Sequence, residues 1–317
     1  AGAGAAAAAP GEPRPVAELV VCVVSAGANR ELRGIIRQTW GREPRVRTAA
    51  GPVVLRVLFF LADAPEARAE SAETKDIVIL QHMEEAFSSI WLKTAAIIKF
   101  GADYFQGALH PGRDPSHGRP RPRFLVKCDD DAFVDIDAVA SDLLQSAPVA
   151  LYWGHVMALV EPNRIEGDKY FVPAEVYPMQ YYPPYARGMA YVLSEDLVSP
   201  LGVALSEGRI EPFPYREDVS VGLYLMELAR LGEVRVVPRQ RKDAMPLDFP
   251  EHCAQGGTGP LLVLHRFRPA DAPCLWRLLE ARRAAPGPAP PPDFCRCTGQ
   301  AARVEAAAYT AGRGKKK

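Results

Sequence analysis

Cysteine is scarce: six among 317 residues, too few for a small domain held together by disulfides. No run of eighteen or more apolar residues occurs, so nothing reads as a bilayer-spanning helix. Net charge is missing too. The 38 Lys and Arg balance 38 Asp and Glu, which excludes binding of nucleic acid through overall charge and leaves room only for a local basic patch. Asparagine occurs only at Asn29 and Asn163, and neither starts an Asn-x-Ser/Thr sequon. The Gly-x-x-x-x-Gly-Lys-Ser/Thr pattern is absent, which weighs against a P-loop phosphotransfer enzyme. What is present is a globular composition, 48% hydrophobic and 24% charged, more apolar than a disordered chain. The length suits one large domain or two ordinary ones.

The ends differ from the middle. Residues 1–15 (AGAGAAAAAPGEPRP) lack an initiator Met and any amphipathic pattern, and are expected to be a disordered stem or linker. Residues 284–317 carry a proline-rich run and are expected to be a disordered tail. Between them, residues 19–24 (LVVCVV), 53–61, 77–80 and 124–128 are short apolar runs suited to buried parallel strands. Helical periodicity marks residues 29–40, 87–100, a stretch through Ile136, Val139 and Leu143, and 219–231, stopped by Gly232. Further strands are expected at 151–153, 191–193, 234–237 and 261–264. This alternation predicts an α/β fold with a mainly parallel sheet. Residues 106–123 read as a basic surface loop, more simply a solvated insertion than a phosphate site. Cys22 and Cys128 fall in core strands as buried thiols, Cys253 and Cys274 could pair, and Cys295-x-Cys297 is too isolated for zinc.

Asp129, Asp130 and Asp131 follow the strand FLVKC directly. Three adjacent carboxylates repel one another, and a hard divalent cation compensates them well. The carboxyl end of a strand is also where open α/β sheets bind ligands. A solvated acidic turn or an N-cap for the Ile136 helix is the plainer reading, and the two are balanced on the residues alone.

At this point the sequence resembles a family. KCDDDAFVD (127–135) looks like the metal-binding signature of the β-1,3-galactosyltransferases, glycosyltransferase family 31. RGIIRQTWG (33–41), EAFSSIWLKT (85–94), YYPPYARGMAYVLS (181–194) and EDVSVG (217–222) resemble four further motifs of that family, in the same order. The resemblance implies a GT-A fold over residues 16–283, with a nucleotide-binding half over about 16–135 and an acceptor half over about 136–283. It implies an inverting transfer of a hexose, galactose first among candidates, from a UDP-sugar to a glycan hydroxyl. It further implies Mn²⁺, with Mg²⁺ as substitute, held by Asp129, Asp131 and His265. Asp218 is implied as the base, with Glu217 the alternate. Arg33, Arg37, Lys93, Asp129, Asp130, Tyr182, Tyr185 and Gly188 are implied around the UDP-sugar. Together with the stem-like start, the resemblance suggests the lumenal part of a Golgi type II membrane protein whose anchor lies upstream of Ala1.

Several positions depart from the family pattern. Glu85, Phe87, Ser89 and Trp91 replace its usual residues, and Arg187, Met189 and Ala190 stand where small residues are usual. Arg187 and Met189 could reshape the pocket. A non-catalytic nucleotide-sugar or carbohydrate-binding protein of the same fold is therefore the competing reading.

Overall fold

The computed structural model describes residues 13–109, 120–241 and 262–284. The expectations for residues 1–12, for the basic loop over 110–119, for Cys253, Cys295 and Cys297, and for the tail from 285 onward lie outside the described residues.

The core is an eight-stranded sheet. β1 (Ala17–Val24) sits at its centre, parallel to β3 (Gly51–Ala62) on one side and β5 (Arg123–Asp129) on the other. β4 (Ile77–Leu80) extends β3 in parallel, and β2 (Arg45–Thr48) folds back on β3 antiparallel. Beyond β5 come β8 (Tyr185–Ser194), antiparallel, then β7 (Leu151–Met157) and β9 (Val237–Gln240). Only β2 and β8 run against the common direction. All eight residues of β1 are buried, which is why residues 19–24 are continuously apolar rather than alternating, while the buried Glu18 accepts from Tyr104 Oη at 2.6 Å. Its side chains divide by parity. Leu19, Val21 and Val23 join a core with Ile36, Trp40, Phe124 and Leu264. Val20 and Cys22 join the opposite core, with Ile97, Leu125, Tyr191 and Leu225.

Helices cover both faces: α1 (Arg30–Gln38), α2 (Pro65–Thr74), α3 (Ile90–Gln106), α4 (Ile136–Leu144), α5 (Glu195–Ser206), α6 (Glu217–Arg230) and α7 (Ala272–Ala284). Asp135 caps α4, accepting from the Ala138 N–H at 3.1 Å. A separate two-stranded sheet pairs β6 (Ala132–Val134) with β10 (Val263–His265), antiparallel, with His265 opposite Ala132. This small sheet carries His265 to the acidic turn.

Several elements differ from the sequence reading. The strand expected at 234–237 begins at Val237, and β8 extends well beyond 191–193. β2, β6, α2, α5 and α7 were not foreseen. α2 (PEARAESAET) has no apolar stripe, and β6 is three residues long. α5 contains Pro200 and Gly202, which read as breakers. Packing overrides them, because a Cβ on Gly202 would lie within 2.3 Å of Ala102 Cβ, and only glycine lets α5 cross α3 so closely.

Candidate active site

β5 delivers Asp129 to the carboxyl edge of the sheet, the turn into β6 presents Asp131, and β10 ends at His265. His265 Nε2 lies 3.5 Å from Asp129 Oδ2 and 3.3 Å from Asp131 Oδ1. One ligand atom from each residue falls within 4.8 Å of the others. The turn is held by the Phe267 N–H, which donates to the Asp131 carbonyl at 3.2 Å. Burial opposes ionisation of Asp129, yet Lys127 and then His265 hold its carboxyl down at about 2. Two carboxylates and an imidazole, all partly exposed, are a donor set that fits a divalent cation such as Mn²⁺.

The middle carboxylate does not join them. Asp130 is buried and turned inward, and its Oδ2 accepts from Ser25 Oγ at 2.6 Å and Asn29 Nδ2 at 2.9 Å. Burial lifts its carboxyl to about 6. Asp130 thereby braces the loop after β1.

Two more expected donor contacts meet at the same loop. Arg33 is fully buried. Its five N–H donors go to both Glu70 oxygens, to Ser25 Oγ, and to the carbonyls of Ala26 and Gly27. Lys93, also buried, donates to the Ser25 carbonyl at 2.7 Å and to Glu85. Arg37 binds Glu70 and both oxygens of Asp76, beneath the Phe59 ring face at 4.7 Å. These three cations are spent on protein acceptors. Arg33 and Lys93 hold the loop at residues 25–27 against the sheet edge, and Arg37 braces the Glu70 that Arg33 also binds.

Opposite the metal-fitting group stands the start of α6. Glu217 and Asp218 lie in its first turn, after Arg216 as N-cap. The Glu217 carboxylate accepts from Thr94 Oγ1 at 2.9 Å and from Lys127 Nζ at 2.7 Å. Burial, against the pull of Lys127, raises its carboxyl to about 7. Asp218 Oδ2 accepts from Arg216 Nη2 at 3.2 Å, and its Oδ1 from the Val219 N–H at 2.9 Å. Gly188 is required here for close approach, since a Cβ would sit 2.3 Å from Glu217 Oε1. The neighbour it accommodates is Glu217.

Tyr182 and Tyr185 are each only 3% exposed. They pack in an aromatic cluster with Tyr177 and Phe213. The Arg216 guanidinium lies 5.5 Å from the Tyr185 ring centre and 5.2 Å from that of Tyr170. Lys169 sits between Tyr170 and Phe87, 4.6 and 4.8 Å from their ring centres, and Phe87 is half exposed.

Four participants escaped the sequence reading: Ser25, Thr94, Lys127 and Arg216. Lys127 had a signal, for it lies two residues before Asp129 on one strand and so shares its face. The others are ordinary polar residues whose roles depend on distant partners.

A carboxylate pair and a histidine that could hold a metal ion lie at the carboxyl edge of a mainly parallel sheet, where such sheets bind ligands, and a second acidic pair opens a nearby helix. The galactosyltransferase family model matches residues 31–232. β-1,3-Galactosyltransferase GALT1 of Arabidopsis thaliana is 30% identical over 268 residues, covering 83% of this chain and 37% of that protein. Mouse acetylgalactosaminyl-O-glycosyl-glycoprotein β-1,3-N-acetylglucosaminyltransferase is 28% identical, covering 83% of this chain and 65% of that protein. Human N-acetyllactosaminide β-1,3-N-acetylglucosaminyltransferase 4 is 30% identical, with coverages of 86% and 68%. The chain belongs to the galactosyltransferase family. It spans only 37% and 65% of the first two relatives, and those relatives are named for different sugars.

Proposed function

We propose that the protein is an inverting hexosyltransferase that moves a sugar from a UDP-sugar to a glycan hydroxyl in a β-1,3 linkage, galactose being the first donor to test. The observation that carries this reading is the meeting of the Asp129, Asp131 and His265 group with the acidic start of α6, joined through Lys127, in a chain of this family.

A divalent cation held by Asp129, Asp131 and His265 would supply charge neutralisation for the diphosphate of the leaving UDP. Asp218 takes the proton from the acceptor hydroxyl, with Arg216 setting its orientation. The amino end of α6 favours a negative carboxylate in its first turn. Glu217, tied to Lys127 and Thr94, is the less available of the pair. The exposed ring of Phe87, with Tyr170 and Lys169 beside it, offers an acceptor sugar an apolar face. Residues 16–283 form the catalytic unit, with one sheet shared by its two halves.

None of the described helices is long and apolar enough to cross a membrane. Cys274 is disulfide-bonded, and the other described cysteines, Cys22 and Cys128, are free and buried. A structural disulfide fits an oxidising compartment such as the Golgi lumen. An upstream anchor and a glycan or glycoprotein acceptor belong to the same reading.

A donor screen with Mn²⁺, reading UDP release with and without acceptor, tests the proposal. Acceptor-dependent release from one UDP-sugar is expected, with loss in Asp131→Ala. Binding of UDP-sugar with no turnover on any acceptor would favour the non-catalytic reading. Full activity in excess EDTA would end the metal assignment.

A further inference from the structure

We propose that Lys127 is a positioning residue that joins the metal side of the site to the base-bearing helix, so that a change at Glu217 is felt at the cation. This rests on the glycosyltransferase reading above.

Lys127 lies at the middle of the site with its side chain 1% exposed. Its ammonium has three protons and three oxygen acceptors: Asp129 Oδ1 at 2.8 Å, the Gly188 carbonyl at 2.7 Å and Glu217 Oε1 at 2.7 Å. Those acceptors belong to β5, β8 and α6. The Tyr191 ring centre stands 5.8 Å from Nζ. Both carboxylates share one buried cation, so neither can move without changing what the ammonium offers the other. The described hydrogen bonds of the Glu217 carboxylate go to Lys127 and Thr94, not to the three metal-fitting residues. Glu217 is also next in sequence to Asp218. Lys127 therefore sets the helix start that carries the base against the strand end that carries Asp129.

The sign follows from charge. With Glu217 neutral, the ammonium pairs with Asp129 alone and competes harder with the cation for it. Mn²⁺ affinity should then fall.

The test is a double-mutant cycle read by electron paramagnetic resonance of free Mn²⁺, with UDP present, at pH 8. The wild-type protein, Glu217→Gln, Lys127→Met and the double variant are compared. Glu217→Gln is expected to weaken Mn²⁺ binding about 3- to 10-fold when Lys127 is present, and to add nothing in the Lys127→Met background. Equal shifts in both backgrounds, or an unchanged affinity in Glu217→Gln, overturn the coupling. Should Lys127→Met fail to fold, Glu217→Gln alone decides: weakened binding with an unaltered near-ultraviolet circular dichroism spectrum supports the bridge, and unaltered binding refutes it. A wild-type protein that binds no Mn²⁺ with UDP defeats the metal assignment and the coupling together, and the donor screen then decides the glycosyltransferase reading separately. Additive shifts in a protein that binds Mn²⁺ and releases UDP defeat the coupling alone.

Discussion

Glu217 and Asp218 are adjacent carboxylates with different surroundings, and substitution separates their roles. Asp218→Asn keeps shape and removes the proton acceptor, so turnover should fall about 10²- to 10⁴-fold with UDP affinity nearly intact. Glu217→Gln should cost less turnover. Steady-state kinetics with UDP titration checks both, and near-normal turnover in Asp218→Asn would shift the base to its neighbour. Glu217 also carries a pH signature. Burial raises its carboxyl from 4.5 to about 7, so in that window the folded state binds more protons than the unfolded one. Stability therefore declines as pH rises from about 4.5 to about 7, by up to about 3 kcal/mol from this group. Urea unfolding across that range should show a flatter profile in Glu217→Gln than in the wild-type protein. An identical slope would remove the burial argument.

At the scale of elements, α6 and β8 touch through glycine. A Cβ on Gly222 would meet the Pro184 carbonyl at 2.8 Å and Tyr185 Cβ at 2.9 Å. The obstruction includes backbone, so Gly222→Ala should cost about 1–3 kcal/mol and displace the helix that carries Glu217 and Asp218. Gly34 is the contrasting case. It lies inside α1 with nothing within 4 Å of its would-be Cβ, so Gly34→Ala should stabilise by up to about 1 kcal/mol through helix propensity. Thermal unfolding of the two variants should move in opposite directions. The loop after β1 is the other junction of elements. Arg33 and Glu70 are 0% and 2% exposed in their side chains. Arg33→Met leaves the buried Glu70 to Arg37 alone and releases the loop at residues 25–27, a loss on the order of 1–3 kcal/mol, whereas an arginine serving only a ligand would leave unfolding unchanged.

Across the whole molecule, the metal-fitting group spans two sheets. Asp129 ends the main sheet, while His265 belongs to the small sheet of β6 and β10. A cation held there would tie the middle of the described chain, at Asp129 and Asp131, to its C-terminal part at His265. Mn²⁺ with UDP at 100 times the dissociation constant should stabilise folding by about 2.7 kcal/mol, read as a rise in Tm that EDTA reverses. His265→Ala should diminish that rise, and an undiminished rise would return His265 to a structural role.

The alternation of strands and helices, the placement of the acidic triplet at a strand end, and the motif order that marks the family were all legible along the chain. These follow from local periodicity and from adjacency along the chain, which need no knowledge of the fold. Its blind spots have local causes too: Pro200 hid α5, and three residues could not announce β6. Which carboxylates join the metal-fitting group depends on contacts between distant residues. Asp129 and Asp131 turn outward and Asp130 inward, because Ser25 and Asn29, about a hundred residues earlier, receive it. The same holds for Lys127 and Glu217, separated by 90 positions, and for Arg33 and Lys93 converging on one loop. Strand order and side-chain burial bring those groups together, and a contact between distant residues leaves no periodic trace in the chain that makes it.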